Sequence, residues 1–136
     1  MHQLLIGGIN DKISGRFRIK GEYFRVGTHI APAPEHVEHM IEATLLEYTS
    51  DLNSYFLDKI GKFHLDFENV HPFNDGNGRI GRVAINYQLQ RLGFPSVMIR
   101  DREKKDYYQA FSDYRQVKNT KTMEKVLVLG LMESFH

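Results

Sequence analysis

Cysteine and tryptophan are both missing from this chain, and proline occurs only 4 times in 136 residues. Without cysteine there is no disulfide framework, no thiolate zinc site and no cysteine nucleophile. No apolar run approaches the roughly 20 residues of a membrane span, and no signal-peptide pattern opens the sequence. A cytoplasmic chain without a membrane partner is therefore expected. An excess of either charge is missing too: 18 Lys and Arg stand against 17 Asp and Glu, net +1. That balance argues against a nucleic-acid binder, which carries a large basic excess, yet leaves room for a local phosphate pocket. Repeats, linkers and low-complexity stretches do not occur, and the length suits one domain over residues 1–136.

What is present is mostly helical patterning. Leu4, Leu5 and Ile6 before Gly7-Gly8 suggest a helix ending at a glycine cap. The abrupt apolar start suggests truncation at the N-terminus. Phe17-Arg18-Ile19 and Tyr23-Phe24-Arg25-Val26 around Lys20-Gly21-Glu22 predict a short β-hairpin. Pro34 suits the first turn of a helix. Five apolar stripes then recur at helical spacing. They are Val37, Met40, Ile41, Thr44, Leu45 and Tyr48; Phe56, Ile60, Phe63, Phe67 and Val70; Ile80, Val83, Ala84, Tyr87 and Leu92; Tyr107, Tyr108, Phe111 and Tyr114; and Met123, Val126, Leu127, Gly130 and Leu131. The third closes on Gly93 with Pro95 beyond. A mostly α domain with one small hairpin is expected.

Residues 71–82 read His-Pro-Phe-Asn-Asp-Gly-Asn-Gly-Arg-Ile-Gly-Arg. Pro72 disfavours helical geometry at His71, so the preceding helix should stop there. The turn residues after it place the next helix start near Gly78, with His71 and Asp75 on the loop between. A glycine-flanked helix N-terminus gathers unpaired N–H groups and the positive dipole end at one spot. Arg79 and Arg82, three apart, share one face of that helix. Two guanidinium forks beside such amides suit a multiply charged ligand such as a polyphosphate. Asp75 supplies a hard oxygen of the kind Mg²⁺ on phosphates requires. His71 can take a proton near neutral pH.

Two generic motifs fit less well. Gly76 to Gly81 matches G-x-G-x-x-G, but a helical stripe rather than a strand precedes it; Arg82-Val83 replaces the Lys-Ser/Thr of a P-loop. A well-capped interhelical loop would account for one histidine or one glycine pair, but not for the whole combination. His36 and His39 lie three apart without a third ligand in pattern and read as a polar face. His64, beside Phe63, reads as a packing residue. Arg100, Arg102, Lys104 and Lys105, mixed with acids, read as a solvated run.

His71 to Arg82 resembles the Fic signature, H-P-F-x-[D/E]-G-N-G-R-x-x-R, at each defined position. The likeness extends to Gly15-Arg16-Phe17-Arg18, similar to the family's G-x-[FY]-R before its flap, to Val26-Gly27-Thr28-His29-Ile30-Ala31-Pro32, to Leu92-Gly93-Phe94-Pro95 and to Asp106-Tyr107-Tyr108. The resemblance implies a Fic-type helical bundle with a flap at about 16–30, a single catalytic core, and transfer of AMP from ATP to a protein Ser, Thr or Tyr hydroxyl, its own included. On that likeness His71 is the general base and Asp75 binds Mg²⁺. Gly76, Asn77, Gly78, Arg79, Arg82 and Tyr108 bind nucleotide. Phe73 anchors the loop, and Phe24, Arg25, Val26, Gly27, Thr28 and His29 form the flap that docks the target protein.

The resemblance is to the class restrained by a helix N-terminal to the core, acting through a glutamate on the second motif arginine. Thr120 to Glu124 is only a partial match to that helix, so it is expected upstream, in cis, or in trans from a partner. Homodimers are compatible with the family. Arg115 stands where relatives often carry an asparagine near the nucleotide, which leaves UTP or GTP open as donors. Gly78 speaks against the phosphorylating branch, which has Lys there. Removal of AMP from a modified protein, and a peptide-binding adaptor without catalysis, are the remaining alternatives.

Overall fold

The computed structural model describes residues 16–26, 29–99 and 103–134. Among these residues the elements run β1 (Arg25–Val26), β2 (His29–Ile30), α1 (Pro34–Ser50), α2 (Phe56–Val70), α3 (Asn77–Arg91), α4 (Lys104–Val117) and α5 (Lys121–Ser134). The mostly α expectation holds. The predicted helix before Gly7-Gly8, Gly15, Gly27-Thr28 of the flap and Arg100 to Arg102 lie outside the described residues. No helix among those described is long and apolar enough to cross a membrane. The chain divides into two compact units: one takes in the described residues up to Ser50 with Asp66–Arg82, the other Asp51–Leu65 with the residues from Val83 onward.

In the first unit the hairpin lies further along than the apolar pattern predicts. Arg25 pairs with Ile30 and Val26 with His29, antiparallel. The Ala31 N–H donates to Phe24 O at 3.0 Å, extending the ladder by one bond. Residues 17–19 are not the partner strand. A turn does form at the expected place: Glu22 N–H donates to Ile19 O at 2.9 Å, and Gly21 takes φ +92°, a region open to glycine. The main chain of Arg18 is engaged elsewhere, its N–H donating to Pro72 O at 2.8 Å. A backbone group bound to the motif loop cannot also serve a hairpin ladder.

Helix α1 opens on Pro34, where a missing N–H costs nothing. Its buried residues are Val37 and Thr44, while Met40 and Leu45 remain exposed. Only a narrow edge of the expected stripe is covered.

The second unit is built on apolar volume. Tyr107, Ala110, Phe111 and Tyr114 of α4 are buried, as are Met123, Val126, Leu127, Gly130 and Leu131 of α5. The two helices pack as a hairpin whose link turns at Lys118 in a left-handed conformation, φ 56°. Leu57, Ile60 and Leu65 are also buried. A Cβ on Gly61 would lie 3.4 Å from the Met123 side chain, so this glycine admits α5 closely. Tyr108 is 62% exposed, so the α4 stripe is narrower than its tyrosines suggest.

The later turns of α3 bury Ile85 and Leu89, whereas Val83 and Tyr87, expected inside, are exposed, as is Leu92. Ile85 and Leu89 sit one turn apart on the face that packs, which leaves the Val83 and Tyr87 line outward. The helix stops as the glycine predicts. Gly93 takes φ +86°; Phe94 N–H reaches Leu89 O and Gly93 N–H reaches Gln90 O, both at 3.0 Å. That pairing is a Schellman motif. His64 is 1% exposed, 2.6 Å from the Tyr107 hydroxyl and against the Phe111 ring. It packs as expected.

Candidate active site

The last turn of α2 delivers His71. Its N–H still bonds Phe67 O at 3.1 Å, but its φ is +51°. Pro72 bars the right-handed helix for the residue before it, so the chain leaves the helix through a left-handed residue. A residue with a Cβ there costs roughly 1–2 kcal/mol, and surrounding bonds must hold it.

Those bonds come from Arg18, which is 3% exposed. Its Nε donates to His71 O at 2.5 Å and its Nη2 to Val70 O at 3.0 Å. Nη2 also donates to Pro32 O at 2.7 Å, and Nη1 to Glu22 O at 2.9 Å. Sequence reasoning missed this residue as a site component. The sequence pattern puts Arg18 in a hairpin strand and in the G-x-[FY]-R likeness before the flap without a role at the site, and only a fold places four carbonyls around it.

A second brace uses Glu22. Its carboxylate accepts from Arg16 at 2.8 and 3.2 Å, from Ile19 N–H at 2.8 Å and from Asn74 Nδ2 at 2.8 Å. The Arg16 guanidinium, above all, holds this carboxyl below the usual glutamate range. Asn77 makes a third brace. Its carboxamide accepts from Phe73 N–H at 2.9 Å and donates to Phe73 O at 2.8 Å. Asn77 is 4% exposed, so its side chain is a staple across the loop. The Phe73 ring lies against Phe17 and Phe67, the anchoring position expected for it.

The His71 ring is packed on Phe24, centroids 5.0 Å apart. Among the described residues no hydrogen bond engages its imidazole. Burial first, then the nearby Arg18 and His29, push its pKa below the ordinary value, with Asp75 opposing. Both effects favour the neutral ring, the form able to accept a proton. His29 turns inward, its Nε2 2.9 Å from Asn69 O, while Arg25 is exposed on β1.

Helix α3 begins at Asn77 with Gly76 at its cap, φ +83°. Glycine has no side chain to meet the first-turn N–H groups, and no acidic residue lies in that turn. Arg79 and Arg82 follow near the positive end of the dipole, where cations are unfavourable unless an anion joins them. Arg79 Nη2 is 3.9 Å from Asp75 Oδ2, both side chains well exposed. Arg82 has no ion pair among the described residues. Its Nη1 lies close enough over Gly78 that a Cβ there would come within 3.1 Å.

Asp75 Oδ1 accepts the Gly76 N–H at 2.8 Å, so its carboxylate stands at the mouth of the amide cluster. Among the described residues no three His, Asp or Glu gather as a protein-only metal cage. One exposed carboxylate fits Mg²⁺, which is usually held by one or two carboxylates plus substrate phosphates. His71, Asp75, Gly76, Asn77, Gly78, Arg79, Arg82, Phe24, Arg25 and His29 thus fall within the first unit; Tyr108 belongs to the second.

Residues 1–89 match the Fic/DOC family. The protein adenylyltransferase Fic of Nematostella vectensis is 32% identical over 119 residues, covering 80% of this chain and 26% of that protein. The protein of the same name from Aedes aegypti is 34% identical over 125 residues, covering 88% of this chain and 23% of its own length. This chain therefore spans about a quarter of the length of these relatives. A solved Fic family protein from Desulfovibrio desulfuricans superimposes with a TM-score of 0.78 at 30% identity, over 98% of this chain and 43% of that one. With a family match over more than half of its length, a shared fold and every defined motif residue in place, this chain belongs to the Fic/DOC family.

Proposed function

We propose that this chain transfers AMP from ATP to a Ser, Thr or Tyr hydroxyl of a protein, itself included, with His71 as general base and Mg²⁺ on the phosphates. The observation that carries this reading is the pairing of a half-buried imidazole in a left-handed backbone with a glycine-led helix N-terminus bearing two arginines. The names of the adenylyltransferase relatives support the same chemistry.

On this reading the His71 imidazole takes the hydroxyl proton as that oxygen forms its bond to the α-phosphorus. The bond from the α-phosphorus to the bridging oxygen breaks, and pyrophosphate leaves. The main-chain N–H groups at the start of α3 receive the charge that builds on the α-phosphoryl oxygens. With its carboxamide committed to Phe73, Asn77 serves through its main-chain N–H. Arg79 orients the β-phosphate and Arg82 holds the γ-phosphate, both as charge-bearing forks. Asp75 would hold the metal, which when bound supplies charge neutralisation between the phosphates. The β1–β2 flap docks the target by strand addition, with Arg25 exposed beside it. Regulation on this reading is a glutamate laid on Arg82 by an inhibitory helix, in cis or in trans.

Incubating the chain with Mg²⁺ and ATP labelled at either phosphate tests this. Label carried from the α-position, and reduced about 10²–10⁴-fold in His71→Ala with nucleotide affinity kept, is the expected result. Label carried from the γ-position, or none from either, overturns it.

A further inference from the structure

The Arg18 side chain is buried and donates to four main-chain carbonyls, and nothing in the reaction above uses it. Buried arginines ordinarily meet a carboxylate. Here the nearest acid, Glu22, spends its oxygens on Arg16, Ile19 and Asn74. The Arg18 guanidinium faces main-chain carbonyls instead.

The pattern of those carbonyls carries the inference. Val70 O, His71 O and Pro72 O are consecutive, and Arg18 holds all three, through Nη2, Nε and its own main-chain N–H. They bracket the one residue of the loop with a Cβ and a positive φ. The remaining donors reach Glu22 O and Pro32 O, one on each side of the β1–β2 hairpin. A planar fork can serve several carbonyls in fixed directions; a lysine ammonium is a point charge on a flexible stem. The Arg18 guanidinium also lies 5.8 Å from the centroid of the Phe24 ring, the ring that packs on the His71 imidazole.

We propose that Arg18 is a positioning residue: it fixes the left-handed backbone of His71 and the root of the flap as one piece, so that the base and the docked hydroxyl keep register. This rests on the transferase reading for its effect on rate, but not for its effect on the His71 backbone. Displacement of a base by about 1 Å costs about 10²-fold in rate. Arg18→Lys keeps the charge and loses the fork. It is expected to lower kcat for self-modification about 10²-fold with KM for ATP unchanged, because the bonds of Arg18 reach Val70 to Pro72 and the flap root and, among the described residues, none reaches α3. The amide signals of Val70, His71 and Phe73 are expected to shift in that variant, while those of Asn77 and Gly78 stay.

A wild-type kcat in Arg18→Lys, or a KM that rises in step with any loss of kcat, overturns the proposal. In the unaltered chain a through-hydrogen-bond coupling is expected between the Arg18 Nε–H and the His71 carbonyl carbon, whose oxygen stands 2.5 Å from Nε. Its absence overturns the proposal whether or not the variant folds. If the wild-type chain transfers no label, the transferase reading fails alone, and this coupling still decides the role of Arg18 in the backbone.

Discussion

The two compact units of this chain are held together by different physics. In the first, the loop that carries His71 hangs on directed polar bonds: the four carbonyls around Arg18, the carboxylate of Glu22 and the two-way carboxamide of Asn77. In the second, Met123, Val126, Leu127 and Leu131 fill space with Tyr107, Phe111 and Tyr114, all buried. Directed bonds set angles and cost little volume, which suits a site where a ring must point one way. Close packing sets stability but tolerates small rotations of any one side chain. The two units should therefore fail differently.

The sharpest contrast pairs His71→Ala, which should lower transfer about 10²–10⁴-fold with an unchanged melting temperature, against Leu127→Ala. Leu127 is fully buried, and its truncation is expected to cost about 2–5 kcal/mol of stability while the folded fraction keeps its nucleotide affinity. Denaturant unfolding beside nucleotide titration checks this; a lost site in a still-folded Leu127→Ala would erase the distinction. A smaller effect is expected at Gly130. A Cβ there would collide with Val97 Cγ1, and Asn86 holds the Val97 backbone by two bonds. Gly130→Ala should cost about 1–3 kcal/mol by overpacking, visible in the melting temperature; a neutral result would mean that this part of the second unit yields.

The mildest test is pH. Burial, then Arg18 and His29, lower the pKa of His71, so the unfolded chain takes up that proton first as pH falls. Stability owed to this group is therefore constant above the ordinary histidine value and declines below it, until the folded form is protonated as well. The acid limb of the transfer rate should lie below the ordinary imidazole range, read from a pH–rate profile. A limb at or above that range would remove the desolvated base.

Much of this was legible in advance. The α5 stripe from Met123 to Leu131 is buried as its spacing predicts, and the stops at Pro72 and Gly93 fall where local sterics put them. These are short-range effects, decided within a few residues. The hairpin register was not legible, because Phe17-Arg18-Ile19 has the apolar alternation of a strand and is claimed by a loop more than fifty residues away. Val83 and Tyr87 failed as core residues for a related reason. A helix alone shows which residues share a face, not which face meets a neighbour.

By itself the sequence determined that a helix must end before Pro72 and that a glycine-flanked, arginine-bearing helix must begin near Gly78, since both follow from backbone sterics and turn residues. Only the tertiary structure decided how His71 is aimed, because the bonds that hold its backbone come from Arg18, distant along the chain, and exist only once the chain has folded.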